Sequence, residues 1–352
     1  MNLPDAVLTV MFLALIAYAL FGGADFGAGI WDLLAGGTAK GRPQRTLIEH
    51  SIGPVWEANH VWLIFVLVVL WTGFPPAFAA IASTLYIPLT LAGFGMIVRG
   101  GAFAFRKTAS TPGMQRFLGG SFALSSVVTP FFLGAMVGGI ASGRVPPGVA
   151  AGSVLTSWIN PTSVLGGVLA VLSCAYLAAA FLCGDARREA PDLAEVFRRR
   201  ALITAFVTGA VAIAGIFVLR GDAPVLFDQL LGRGLAPIVL SAAAGAVSIG
   251  LLLGRRYIWA RVAAGAAVTA VLCGWAAGQY PYVLPAHLTI DDAAAGRGTL
   301  TAVLVAVAVG SILLIPALIL MYRMFQTVPA ATPHPPGLYA DHDHTGRGTP
   351  PT

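Results

Sequence analysis

The chain is organised as long apolar runs separated by short polar segments. The runs lie near residues 7–30, 51–72, 76–98, 117–142, 161–183, 201–219, 235–254, 257–279 and 300–322. About 20 apolar residues are needed for a helix to cross the roughly 30 Å hydrocarbon core of a bilayer. The runs are continuously apolar and lack the period-two alternation of barrel strands. The pattern therefore predicts an all-α, polytopic membrane protein with about nine transmembrane helices.

Composition agrees with this prediction and excludes two other classes. Hydrophobic residues make up 57% of the 352 residues and charged residues 10%, whereas ordinary soluble domains carry about 25% charged residues. The net charge of +6 could suggest a nucleic-acid partner. However, the basic residues lie between the apolar runs and form no continuous stripe, so we expect no nucleic acid to bind.

The basic residues also predict an orientation. When alternate loops are counted, sixteen of the 21 Lys and Arg residues fall on one side, four on the other, and Arg261 lies inside a run. Cytoplasmic loops carry the excess of basic residues. This predicts an N-terminus outside and a C-terminus in the cytoplasm. No basic residue and no clear cleavage site marks the first run, so we expect a retained helix.

Two further features have simple interpretations. The segment 328–352 is rich in Pro, Thr, Gly and His, which predicts a disordered cytoplasmic tail after a membrane domain at residues 1–327. Its Asp341-His342-Asp343-His344 could bind a metal weakly, but a solvated end is favoured.

The three cysteines are interpreted as small packing residues. Cys174, Cys183 and Cys273 have no CxxC spacing.

Ionisable residues inside the runs are candidates for function, because a charge in a bilayer is costly. Asp25 lies late in the first run, Glu57 early in the second, and Arg99 at the end of the third. At about 1.5 Å per residue, all three reach the cytoplasmic third of the membrane. A buried acid stays ionised only when paired, so we expect Arg99 to contact one of the acids.

The neighbours of these residues leave two interpretations open. Gly23 and Gly27 have the GxxxG spacing that allows close helix packing. Near Glu57 lie Asn59, His60 and two tryptophans, Trp56 and Trp62. The acids could merely pair with Arg99 and fix helix register, or they could hold water and pass protons; for Glu57 we favour the second role.

A metal or haem site is not indicated. Glu57 and His60 have the i, i+3 spacing of di-iron bundles, but no second such pair occurs. No two histidines lie in separate run interiors, so bis-histidine haem ligation has no basis. We therefore expect no metal site and no haem held by this chain alone.

The sequence resembles a known protein family. Several segments are similar to subunit II of cytochrome bd-type quinol oxidases: Asp25-Phe-Gly-Ala-Gly29, Gly53-Pro-Val-Trp56-Glu57-Ala-Asn59-His60-Val-Trp62, Arg99-Gly-Gly-Ala-Phe-Ala-Phe-Arg106, Trp158-Ile-Asn160-Pro161, Tyr280-Pro-Tyr-Val-Leu-Pro285 and Ile315-Pro-Ala-Leu-Ile-Leu-Met-Tyr322. The similarity extends over essentially the whole chain before the tail. The second-run motif is the most specific.

The resemblance implies an architecture and a partner. It implies two four-helix bundles, residues 7–142 and 161–279, with a peripheral helix at 300–322. A subunit I would hold two b-type haems, one d-type haem and the quinol site. The complex would reduce oxygen to water in a bacterial cell (inner) membrane as part of the respiratory chain. A small third subunit, a bound quinone or lipid, and the choice between ubiquinol and menaquinol are left open.

The resemblance also implies roles for residues. A proton route would involve Glu57 with Trp56, Trp62, Arg99 and His60 nearby, and Asp25 matches the first-helix acid of the family. The sequence departs from the family in three places. Ala104 stands where some members have an acid, so we expect the proton route to differ in its entry. Glu57 stands where some members have Asp, a change that keeps the chemistry, and His60 stands where others have Gln.

Two other function classes compete with this interpretation. In a proton-coupled secondary transporter the intramembrane acids would bind the coupling proton, but such proteins tend to have broken helices in both halves. Here the ionisable cluster lies in the first half. A purely structural scaffold would leave the cluster around Glu57 unexplained.

Overall fold

A computed structural model describes residues 2–36, 38–52, 56–106, 108–109 and 111–327. The side chains of residues 38–40, 52, 56–58, 112 and 321–327 also lie outside the described part. The predicted tail, 328–352, with its Asp341–His344 segment, is outside it as well.

Helices account for most of the described chain. The first half contains α1 Leu3–Ala17, a π-helical turn Tyr18–Gly22, α2 Gly23–Leu33, α3 Thr38–Ile52, α4 Trp56–Gly73, α5 Pro75–Thr84, α6 Tyr86–Arg106 and α7 Pro112–Ala141. The second half contains α8 Pro161–Glu189, α9 Pro191–Asp222, α10 Pro224–Leu231, α11 Leu235–Leu253, α12 Tyr257–Gln279, β1 Tyr282–Leu284, β2 Leu288–Thr289, α13 Ile290–Ala293 and α14 Arg297–Thr327. The two strands form a small antiparallel pair.

The predicted class is confirmed. Among the described residues, eight helices are long and apolar enough to cross a membrane, and a bent pair of helices raises the number to nine. The first of the eight is continuous from Leu3 to Leu33, through the π-helical turn.

Two predicted boundaries in the first half are wrong. The second run was expected to start at residue 51, but residues 38–52 form a separate helix, α3, and α4 starts at Trp56. The third was expected at 76–98, but α5 bends away from α4 by 120° and the span is α6. Pro75 and Pro76 explain the break, because proline cannot continue a helix beyond its first turn. Arg99 therefore lies inside its span, seven residues before the end.

α2 is the most enclosed helix of the fold. Nine of its eleven residues are buried, including Asp25 and Asp32. It packs against α7 and α8, and α8 in turn packs against α7, α9 and α12. The side chains of Phe26 and Trp31 lie in the largest apolar cluster. The first span therefore forms part of the core between the two halves of the chain.

α14 is the least buried of the candidate spans in the described part of the chain. It packs against α1 and α4, and none of its most apolar stretch is buried. This placement agrees with a peripheral helix. The division of the remaining helices into two four-helix bundles stays a prediction.

Glycines allow the central backbones to approach closely. A Cβ at Gly27 would overlap the carbonyl oxygen of Cys174 on α8, whereas one at Gly23 would make only ordinary contacts. Across α7 and α8, Gly134 and Gly166 face each other in the same way, each leaving room for the carbonyl of the other. Of the predicted GxxxG pair, Gly27 is thus the residue that the packing requires.

At each of the two ends of the molecule, hydrogen bonds join different helix ends and loops. At one end Arg200 Nη2 donates to Leu34 O at 3.2 Å, and Arg187 Nη1 donates to Arg255 O at 3.0 Å. At the other, Asn2 Nδ2 donates to Asp291 Oδ1 at 3.0 Å, and Arg233 Nη1 donates to Tyr280 O at 2.9 Å. These are the two loop sets that the basic residues distinguish. For the spans that these bonds join, the alternation agrees with the prediction.

The contact at Gly27 leads to a stability prediction. Gly27→Val should reduce the yield of folded protein strongly and lower its Tm, because the added carbons meet backbone that cannot move aside; overpacking a core costs about 1–3 kcal/mol or more. Gly93→Val on α6 is the matched control, since nothing lies within 4 Å of a Cβ built there. Equal yield and Tm for the two variants would show that the α2–α8 contact is looser than described.

Candidate functional site

The predicted pairing of an intramembrane acid with Arg99 is present, and the acid is Asp25. Arg99 Nη1 donates to Asp25 Oδ2 at 2.8 Å and Nη2 donates to Oδ1 at 2.7 Å. Their side chains are 1% and 3% exposed, respectively. This two-point contact between planar groups is the strongest geometry available to an arginine and a carboxylate.

Two further donors of Arg99 are also used. Nη2 donates to the backbone oxygen of Asp25 at 3.1 Å, and Nε donates to Ser126 Oγ at 3.0 Å. The Ser126 hydroxyl then donates to Phe122 O at 2.7 Å. The rings of Phe26 and Phe122 flank the guanidinium at 4.8 and 4.7 Å. The cation is thus held by α2, by α7 and by two aromatic faces.

The local sequence creates the space for this arrangement. Gly29 lies one turn after Asp25, and a Cβ there would overlap the side chain of Ser126. Before Asp25, the π-helical turn Tyr18–Gly22 interrupts the ordinary pattern of backbone hydrogen bonds. Asn59 Nδ2 donates to the carbonyl of Phe21 in that turn at 3.2 Å, which ties α4 to the first span.

The energetics favour a fixed pair at this position. Removing one partner of a buried ion pair costs about 3–5 kcal/mol, because the other charge is left without compensation. Asp25 lies on α2 and Arg99 on α6, while Ser126, which accepts a hydrogen bond from Arg99 Nε, lies on α7. The contact therefore fixes the relative position of α2, α6 and α7.

The residues around Glu57 are described in part. Trp56 and Glu57 start α4, but their side chains lie outside the described part. Asn59 is 2% exposed, and the ring of His60 lies 6.2 Å from that of Phe26. Trp62 is half-buried against the main core cluster. The described members of the cluster therefore face the first span, close to the Asp25–Arg99 pair.

A second ionic layer, which the sequence analysis missed, lies further along the same helices. Arg106 Nη1 donates to Asp32 Oδ2 at 3.0 Å, and Arg45 Nε lies 3.2 Å from Asp32 Oδ1. Glu49 Oε1 is 3.7 Å from Arg106 Nη2.

A sequence signal for this layer exists. Asp25 and Asp32 are seven residues apart, and so are Arg99 and Arg106. Seven residues are about two helical turns, or roughly 10 Å, so each pair lies on one helix face. Two parallel helices with this spacing bring both pairs together.

Two more arginines are paired elsewhere. Arg261, the one basic residue predicted inside a span, donates through Nη2 to Asp185 Oδ1 at 2.9 Å and to Phe181 O at 2.6 Å. At the opposite end Arg144 binds Asp222 through two contacts of 3.1 and 2.6 Å. The second half of the chain thus carries its own ion pairs, at the helix ends.

The described residues show where the side chains that could ligate a metal ion lie. They contain no group of three or more His, Cys, Asp or Glu side chains that could hold a metal. His50 lies 3.2 Å from Glu189, and His287 contacts Gly143 O at 3.2 Å. These histidines and His60 stand on different parts of the fold. Cys174 and Cys183 are buried free thiols.

Comparison with known proteins gives consistent results. The family model described as cytochrome bd terminal oxidase subunit II matches residues 3–325. The chain is 24% identical over 323 residues to a putative cytochrome bd menaquinol oxidase subunit II of Bacillus subtilis, covering 88% of this chain and 91% of that protein. It is 27% identical over 215 residues to cytochrome bd-I ubiquinol oxidase subunit 2 of Escherichia coli, covering 59% and 55%.

A solved structure shares the fold. The bd oxidase of Geobacillus thermodenitrificans contains a chain with a TM-score of 0.76 and 27% identity, covering 92% of this chain and 99% of that one. The family match extends over nearly all described residues, including both ionic layers and the start of α4. This chain belongs to the family of cytochrome bd terminal oxidase subunit II.

Proposed function

We propose that the chain is the haem-free subunit II of a quinol-driven terminal oxidase, whose two b-type haems, d-type haem and quinol site are in subunit I. The observation that carries the proposal is the family match over residues 3–325. The histidines support it as well, because those in the described part of the chain form no pair of axial haem ligands. One relative is named for menaquinol and another for ubiquinol, so the proposed substrate is a quinol of either class.

The proposal includes an orientation. The end that carries Arg187, Arg200 and Arg255 faces the cytoplasm, and the end with Asn2 and Asp291 faces outward. The support is the sixteen-to-four distribution of basic residues and the positive-inside rule. In this orientation both ionic layers lie in the cytoplasmic half of the membrane, as a route for proton uptake would require.

Within this site the acids have different roles. The Asp25 carboxylate is held by two hydrogen bonds from Arg99, whose guanidinium lies between two aromatic rings, so Asp25 acts as a fixed counter-charge beside the route. Glu57 is the proton carrier, at the first turns of α4. Asn59 and His60 line the side of α4 toward the first span, and we assign Trp56 and Trp62 to the same route. Protons are then delivered from the cytoplasmic face toward the partner subunit.

The transporter alternative gains no support. Such proteins tend to have discontinuous helices in corresponding positions of both halves. In the described part of the chain one strongly bent pair occurs, Asn59–Gly73 with Pro75–Thr84, in the first half.

The orientation can be tested by cysteine labelling in intact cells. Asp192→Cys, in the exposed first turn of α9, should resist a membrane-impermeant maleimide. Val149→Cys, at a residue 76% exposed at the other end, should react. Cys273→Ala serves as the background for both variants, because Cys174 and Cys183 are buried. The reverse labelling pattern would overturn the orientation and the proton-uptake side.

The role of Glu57 can be tested in the assembled oxidase. Glu57→Gln keeps the side-chain size and some hydrogen bonding but removes the titratable group. The complex should contain normal haem per protein, while oxygen consumption with quinol falls by about tenfold or more, because general acid–base groups contribute about 10²–10⁴-fold. Haem is measured from reduced-minus-oxidised spectra and turnover with an oxygen electrode.

A matched control distinguishes transport from assembly. Glu195→Gln replaces another glutamate at the same end, outside both ionic layers and 40% exposed, and should leave turnover near that of the wild type. Normal turnover of the Glu57→Gln complex at full haem content would end the proton-route proposal. Loss of haem from that complex would instead assign Glu57 a structural role.

A further inference from the structure

A cavity at the end of the molecule with few basic residues has no role in the proposed proton route. It lies between α10, the start of α11 and the end of α12, with a volume of about 240 Å³. Its wall includes Val225, Leu226, Gln229, Arg233, Tyr280 and Tyr282. Since α11 starts at Leu235 and α12 ends at Gln279, the cavity lies at the boundary of the hydrophobic spans.

The cavity contains a cation with spare donors. Arg233 Nη1 donates to Tyr280 O at 2.9 Å. Within the described part of the chain no carboxylate lies within 4.0 Å of the Arg233 guanidinium. Asp228, the nearest acid in sequence, is not part of the cavity wall. Because a guanidinium has five N–H donors, Arg233 can still bind an anion.

The rest of the wall is suited to a lipid. Val225, Leu226 and Pro281 are apolar, and Tyr280 and Tyr282 are 49% and 39% exposed. Tyrosines at this level are typical of the interface between hydrocarbon and headgroups. A free inorganic anion would gain nothing from the apolar wall, whereas an acyl chain would.

A polar atom deeper in the wall indicates a headgroup with a donor. Gln279 Nε2 donates to Val283 O at 2.8 Å. Gln279 Oε1 is enclosed and has no hydrogen-bond partner among the described residues. A buried acceptor left without a partner costs about 1–3 kcal/mol. A rotation of the Gln279 amide toward the cavity would let a hydroxyl of a bound headgroup satisfy it.

We propose that this cavity binds the headgroup of an anionic phospholipid with a hydroxyl-bearing headgroup. The phosphate contacts the Arg233 guanidinium, the headgroup hydroxyl donates to Gln279 Oε1, and the acyl chain follows the apolar wall beside Val225. The proposal does not depend on the orientation of the chain or on the proton route.

The test uses the purified oxidase complex. The complex is stripped of lipid in detergent, mixed with phosphatidylglycerol or phosphatidylcholine, and analysed by native mass spectrometry for retained lipid. Arg233→Gln should weaken retention of phosphatidylglycerol about fivefold, since an interfacial arginine contributes about 1 kcal/mol toward anionic lipid. Phosphatidylcholine retention should be weak and unchanged. Arg220→Gln, an exposed arginine at the same end outside the cavity wall, should retain phosphatidylglycerol as the wild type does.

A second variant tests the same cavity without altering Arg233, in case Arg233→Gln fails to fold. Val225→Glu places a carboxylate at a wall residue that is 58% exposed, and it should likewise reduce phosphatidylglycerol retention with haem content unchanged. Two results would overturn the proposal. One is equal phosphatidylglycerol retention by wild type, Arg233→Gln and Val225→Glu. The other is complete displacement of the lipid by 10 mM inorganic phosphate, which would indicate a free-phosphate site.

Discussion

The buried contact between Asp25 and Arg99 determines how the central helices are arranged. Neither charge could remain in a bilayer alone at acceptable cost, so α2 and α6 must lie where the carboxylate meets the guanidinium. The distances of 2.7 and 2.8 Å and the third bond to Ser126 leave little freedom to that geometry. The adjacent glycine contacts then become possible, because α2 is held at the depth where Gly27 faces the α8 backbone and Gly29 faces α7.

The same constraint explains why proton transfer is proposed for another residue. Both carboxylate oxygens of Asp25 accept hydrogen bonds from the enclosed Arg99 guanidinium, which suits the fixed counter-charge that we propose for this acid. Glu57 belongs to α4, which the Asn59–Phe21 hydrogen bond ties to the first span. The fixed pair and the start of α4, where the proposed carrier lies, are therefore joined through the first span.

Much of the fold could be predicted from the sequence, because continuous apolar runs and alternating basic loops have few physical solutions in a bilayer. The partnership of Arg99 with one acid could also be predicted, from depth and charge alone. The third span was placed too early because α5 is itself apolar, so hydrophobicity does not reveal where α5 ends and α6 begins. The Asp32–Arg106 layer was missed because both residues lie at the ends of their apolar runs, where charges are ordinarily solvated. Which acid pairs with Arg99 depended on the packing of α2, which a single sequence does not specify.

The most direct test of this account is a double-mutant cycle on the central pair, read out as the Tm of the assembled oxidase. Asp25→Asn leaves the Arg99 cation buried without a counter-charge and should destabilise the complex severely, by about 3–5 kcal/mol. Adding Arg99→Gln removes the uncompensated charge, so the double variant should have a higher Tm than Asp25→Asn alone. A double variant whose loss of Tm equals the sum of the two single losses would contradict the account.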